Sequence, residues 1–167
     1  MEINKAVVGY LKTNCYILIK NGKCLVIDPG SEYEKINKVI SDNKVVGVII
    51  THNHFDHIGA LKYFDKSLVY DKNNLEEKEY CIEEFKFKVI YTPGHKEDCI
   101  TIYFEKEKVM FTGDFLFNGT IGRTDLPGSD YNDMLKSLEK MKKYDKSIKI
   151  FPGHGSSTVL IDEIDNY

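Results

Sequence analysis

Arginine is almost absent from this chain. Of its 23 basic residues, 22 are lysine and Arg123 stands alone. There is no surplus of positive charge either. The net charge is -3 and the pI about 6.0, which argues against nucleic acid or an acidic membrane surface as partner. No apolar run approaches the roughly 18 residues that a membrane span needs, and the opening MEINKAVVGYLK lacks the apolar core of a signal peptide. A cytoplasmic location is therefore expected. The four cysteines at 15, 24, 81 and 99 contain no CxxC pair. That removes zinc ribbons and thioredoxin-type redox motifs and leaves free thiols, expected as small buried hydrophobes. Repeats, low-complexity segments and linkers are also missing, so 167 residues read as one domain spanning 1–167.

What is present is a succession of strands. Residues 13–20 and 23–28 are β-branched and aromatic and flank Asn21-Gly22, a strong two-residue hairpin signal. Asp28-Pro29-Gly30-Ser31 ends the second of them. Residues 32–41 carry apolar side chains at helical spacing, and 45–50 (VVGVII) read as a strand buried on both faces. Residues 85–91 alternate, and 99–104 are expected to pair with 108–112. Residues 130–143 form an amphipathic helix with Asp130 as N-cap. A short strand follows at 148–151, then a short helix from Ser157. Strands in two groups, each followed by helical material, predict two sheets packed face to face with helices outside.

The chemistry concentrates just beyond strand ends. Thr51-His52-Asn53-His54-Phe55-Asp56-His57 supplies four metal-capable side chains in six positions, with His57 expected just before a helix from Ile58. The two remaining histidines, His95 and His154, each end a Pro-Gly-His triplet at a strand end. Asp114 follows Thr112-Gly113 after another apolar run. Imidazole and carboxylate without thiolate suit zinc, iron or manganese. Neighbours at i and i+2 on an extended segment share a side, so the crowded loop can serve two metals.

His52-Asn53-His54-Phe55-Asp56-His57 resembles the HxHxDH signature of the metallo-β-lactamase superfamily. Thr92–His95, Gly113-Asp114 and Pro152-Gly153-His154-Gly155 resemble its later motifs, in order. The resemblance, from about residue 13 onward, implies a four-layer αββα sandwich of two mixed sheets flanked by helices. By position it implies His52, His54 and His95 as ligands of a first divalent metal. It assigns Asp56, His57 and His154 to a second, with Asp114 bridging; zinc is expected for both. Gly113-Asp114-Phe115-Leu116-Phe117 and Gly122-Arg123-Thr124-Asp125-Leu126-Pro127-Gly128 resemble short glyoxalase II-like hydrolases. Full-length glyoxalase II carries a C-terminal helical domain that helps to bind glutathione, and the present chain is expected to lack it. After His95, relatives continue Thr-x-Gly-Ser where this chain has Lys96-Glu97-Asp98-Cys99, two charges at the pocket edge.

Two metals sharing a water lower its pKa toward 7 and make a hydroxide that attacks a carbonyl. Asp114 and Asp56 are the expected catalytic carboxylates, the first holding the metals, the second accepting a hydrogen bond from the nucleophile. If all five histidines bind metal, none remains to protonate a leaving group. A thiolate, with a conjugate pKa near 8.5, leaves unaided. This favours thioester, lactone or β-lactam substrates over RNA, and the resemblance to glyoxalase II implies hydrolysis of a small-molecule hydroxyacyl thioester. The alternatives are a mononuclear-iron persulfide dioxygenase, which shares a GRTD-like loop, and a lactonase or other hydrolase of the same fold. Arg123 either grips a substrate carboxylate, as only a guanidinium fork can, or pairs with Asp125 and braces its loop. Tyr10, Tyr91 and Phe117 stand near these motifs, but such aromatics are expected in the core.

Overall fold

Asn21 and Gly22 both adopt left-handed φ, 50° and 74°, the conformation a two-residue hairpin requires. This hairpin belongs to a computed structural model describing residues 1–167. It joins β2 (Thr13–Lys20) to β3 (Lys23–Ile27). With β1 (Glu2–Val8), β4 (Lys44–Ile49) and β5 (Val69–Tyr70) they form a five-stranded sheet in the order β1-β2-β3-β4-β5, antiparallel up to β3 and parallel beyond. The second sheet holds β6 (Glu79–Ile82), β7 (Phe85–Tyr91), β8 (Ile100–Phe104) and β9 (Val109–Gly113). After a small hairpin, β10 (Leu116–Phe117) with β11 (Thr120–Ile121), it gains β12 (Lys149–Pro152) and β13 (Thr158–Val159), in the order β13-β12-β9-β8-β7-β6.

Alternation along the strands creates three cores. In β2, Tyr16 and Leu18 face inward and meet Phe85, Phe87, Ile102, Phe104 and Phe111 of the other sheet. Cys15 and Ile17 face outward, onto Ile36 and Ile40 of α1 (Tyr33–Ile40). On the far side, Ile90, Met110 and Ile150 pack against Met134, Leu138 and Met141 of α3 (Tyr131–Met141) and against Leu160 and Ile164 of α4 (Leu160–Ile164). Three apolar interfaces between four layers are the expected αββα sandwich.

The N-cap of α3 is Asp130, whose side chain accepts from the Asp133 N–H. Several expectations need correction. The short helix α2 begins at Phe55, not Ile58, and runs to Ile58, so Asp56 and His57 lie inside it. A two-residue strand precedes the C-terminal helix. Strand β1, half polar and at the sheet edge, carries too little periodicity to read. Cys81 is exposed on the edge strand β6 whereas Cys15, Cys24 and Cys99 are buried; all four are free. Tyr10 is no core residue, at 81% exposure. No helix is long and apolar enough to cross a membrane.

Candidate metal centre

Five strands deliver the site from their C-terminal ends. β3 leads to Asp28, β4 to His52, β7 to His95, β9 to Asp114 and β12 to His154. The loops leaving one rim of the sandwich converge without disturbing the sheets. Two groups of donor atoms result: His52, His54, His95 and Asp114, and beside them Asp56, His57 and His154. All seven residues singled out from the sequence are brought together.

The hydrogen bonds behind the rings fix which nitrogens face the centre. His57 Nδ1 lies 2.9 Å from Asp28 Oδ2; a carboxylate only accepts, so Nδ1 donates. His95 Nδ1 donates to the Arg123 carbonyl at 2.9 Å and His154 Nδ1 to the Leu11 carbonyl at 3.0 Å. The Thr51 hydroxyl gives its proton to Asp28 Oδ2 at 2.6 Å, so at 3.2 Å it accepts from His52 Nδ1. Four rings therefore turn Nε2 inward. His54 is the exception: its Nδ1 points in, 3.0 Å from Nε2 of both His52 and His95. Ring nitrogens at that spacing match neighbouring ligands on a metal with bonds of about 2 Å.

Asp114 stands between the groups. Its Oδ1 is 3.3 Å from His57 Nε2. Its Oδ2 is 3.4 Å from His154 Nε2, 3.7 Å from His95 Nε2 and 3.9 Å from His52 Nε2. Asp56 Oδ2 lies 3.3 Å from His154 Nε2 and 3.5 Å from His57 Nε2, and accepts from the Thr13 hydroxyl at 2.8 Å. Gly153 explains how so many groups fit. A Cβ there would collide with Asp114 Oδ1 and stand 2.7 Å from His57 Cε1.

The centre fits a cation on two counts. His57 Nε2 and Asp114 Oδ1 are buried without a hydrogen-bond partner, which costs free energy unless something joins them. Asp28, Asp56 and Asp114 are buried, and the ion-pair partners at the centre are all histidines. Buried carboxylates need compensating positive charge. Protons supply it when no metal does. Burial opposes a charged His57, but Asp28 and Asp114 outweigh it and raise its pKa to about 10. Burial likewise opposes a charged His154, and Asp114 and Asp56 raise its pKa to about 9. Asp56 and Asp114, despite burial, are held well below the ordinary carboxylate range by His154 and His57. His52 and His54 go the other way, lowered by burial and then by the neighbouring imidazoles.

The profile of the Metallo-beta-lactamase superfamily matches residues 8–72 and 69–154. The chain belongs to this superfamily. A probable metallo-hydrolase of Bacillus subtilis, YqgX, is 31% identical over 99% of the chain and 95% of its own length. A hydroxyacylglutathione hydrolase of Francisella tularensis subsp. novicida is 32% identical over 86% of the chain, which spans 63% of that longer relative. Among solved structures, the BLEG-1 B3 metallo-beta-lactamase superposes with a TM-score of 0.91 at 28% identity, covering 98% of this chain and 97% of that one. TTHA1623, crystallised in a di-iron-bound form, gives 0.86 at 27% identity and 96% of each chain. ETHE1 from Myxococcus xanthus, at 24% identity and 0.86, covers 97% of this chain and 81% of its own and shares the fold. Superfamily membership and the donor cluster together support a metal-dependent hydrolase.

Several contributors escaped the sequence reading. Asp28 holds His57 and also accepts from the Thr51 N–H at 2.7 Å. It follows the same grammar as the other ligand loops, an apolar strand ending in Asp-Pro-Gly, and that was the available signal. Thr13 and the Leu11 carbonyl gave none. Arg123 contributes its carbonyl to His95, while its guanidinium forks onto Asp125 with two contacts of 2.9 Å, on the exposed face. The guanidinium thus makes the Asp125 pairing expected of a loop brace. At the pocket edge, Lys96 pairs with Asp98 at 3.1 Å, and Asp98 accepts from the Asn53 N–H at 3.0 Å. The unusual charges thus tie the His95 loop to the His52–His57 loop.

Proposed function

We propose that the protein is a binuclear metal-dependent hydrolase that cleaves a hydroxyacyl thioester. The observation that carries this reading is Asp114, whose Oδ2 lies within 3.9 Å of imidazole nitrogens from both groups, His52 and His95 on one side and His154 on the other. His52, His54 and His95 would hold one divalent ion, Asp56, His57 and His154 the other, and Asp114 both; zinc suits the donors, as iron and manganese do. When bound, such a pair supplies an acidified water and positive charge for a developing oxyanion. The chain's own residues do the rest. Asp28, Thr51, and the Leu11 and Arg123 carbonyls lock the ring orientations. Thr13 occupies one oxygen of Asp56, and the depressed pKa keeps that carboxylate ionised, able to accept a hydrogen bond from the nucleophile.

The leaving group follows from what is used up. All five histidines face the centre or hold their neighbours there, and Lys96 is tied to Asp98. A leaving group that needs no proton is favoured, and a thiolate is one. The test is hydrolysis of acyl thioesters by metal-loaded protein, read by thiol release. Thioester turnover well above that of oxygen esters and amides of the same acyl group is expected. Oxygen consumption with a persulfide, and no thiol release, would replace this reading with the dioxygenase.

A further inference from the structure

Both donor groups straddle the two sheets. His52 and His54 follow β4 of the first sheet, whereas His95 follows β7 of the second. Asp56 and His57 lie in α2 after β4, whereas His154 follows β12. Each group therefore depends on how firmly one sheet holds a ligand loop of the other. Two polar side chains make that connection. Asn14, near the start of β2 and 2% exposed, donates through Nδ2 to the Pro152 carbonyl at 2.9 Å and the Gly155 carbonyl at 3.0 Å. These carbonyls lie on either side of His154, and the Asn14 N–H donates to the Gly153 carbonyl between them at 2.7 Å. Asp98 works in the opposite direction. It stands just before β8 of the second sheet and accepts from the N–H of Asn53, the residue between His52 and His54, at 3.0 Å. Lys96 donates to its other oxygen at 3.1 Å, and close by the Ile100 N–H donates to the Thr51 carbonyl at 2.9 Å.

A buried amide with its protons on two carbonyls fixes their loop, because cutting it leaves acceptors short of a donor. A carboxylate on a backbone N–H is a charge-assisted bond and stronger than a neutral one. We propose that Asn14 and Asp98 are positioning residues that set the affinities of the two metal sites separately. Asn14 acts on the Asp56–His57–His154 group by holding the His154 loop on the first sheet. Asp98 acts on the His52–His54–His95 group by holding the His52–His54 segment on the second. This rests on the binuclear reading above. Neither side chain bonds to the Asp114 loop, which arrives from β9, so the shared carboxylate stays in place when one clip is cut.

The test titrates Zn²⁺ by calorimetry into the full chain stripped of metal. Asp56→Ala removes a donor from one group only and so identifies that group's binding step. Asn14→Ala should weaken the Asp56–His57–His154 step by about tenfold and leave the other within about twofold. Asp98→Ala should do the reverse. Asp98→Asn keeps an oxygen for the Asn53 N–H and should recover most of the loss, which a general loosening of the fold would not allow. Asn14→Ser, which keeps one donor, takes the place of Asn14→Ala if that variant fails to fold. Equal losses at both steps, no loss at either, or Asp98→Asn as weak as Asp98→Ala would overturn the proposal. Uptake of a single ion by the parent defeats the binuclear reading alone. The occupied group must then still be weakened by its own clip and not by the other.

Discussion

The two donor groups are built on opposite electrostatic plans. His52, His54 and His95 form a nitrogen tripod, in which burial and the neighbouring imidazoles lower the pKa of His52 and His54. Asp56, His57 and His154 sit among carboxylates, with Asp28 behind and Asp114 in front, and attract a cation of any kind. His52 and His54 offer lone pairs to a metal and less to a proton. The carboxylate-rich group accepts either, and protons compete there. If this site takes two ions, as proposed, they should differ in pH dependence, with Asp114 as the shared element.

Substitutions can break that comparison at its joint or on one side. Asp114→Ala removes the shared carboxylate. Metal content should fall for both groups and activity by more than about 100-fold, beyond the usual loss from an outer-shell partner. Asp28→Asn keeps the left-handed backbone at this position, φ 53°, which Asn tolerates, but takes away the charge behind His57. It should weaken the carboxylate-rich group by about 10–100-fold and spare the tripod, as two-step metal titration would reveal. Gly153→Ala pushes a methyl into the cradle against Asp114 and His57. An unfolding free energy lower by about 1–3 kcal/mol is expected in denaturant titration.

The smallest effect concerns protons. With pKa values raised to about 10 and about 9, His57 and His154 carry an extra proton at neutral pH before metal enters. Each must lose it on binding, so filling this group should release about one proton per ring. Its affinity should fall as pH drops, more steeply than that of the tripod. Calorimetry in buffers of different ionisation enthalpy would read the difference; equal proton release from both groups would erase the contrast.

What the sequence made legible follows the same division. Histidine and aspartate at strand ends announce themselves, and all seven donors could be named because chemistry and punctuation coincide. The sheets were legible where alternation is strong, in β7, or where β-branched and aromatic runs flank a clear turn, in β2 and β8. The supporting contacts were not, because backbone carbonyls such as Leu11 and Arg123 carry no signature, and a hydroxyl such as Thr13 acts through a partner 43 residues away. The exposed Tyr10 was hidden by its composition. An aromatic between apolar strands reads as core until the turn that carries it is seen.

The most direct test counts metal ions, by elemental analysis of protein purified without chelator or a metal-binding tag, alongside Asp56→Ala. The account predicts about two divalent ions per chain in the parent and about one in the variant, retained by the tripod. One ion per chain in both, with His57 and His154 still protonated in the parent, would contradict it.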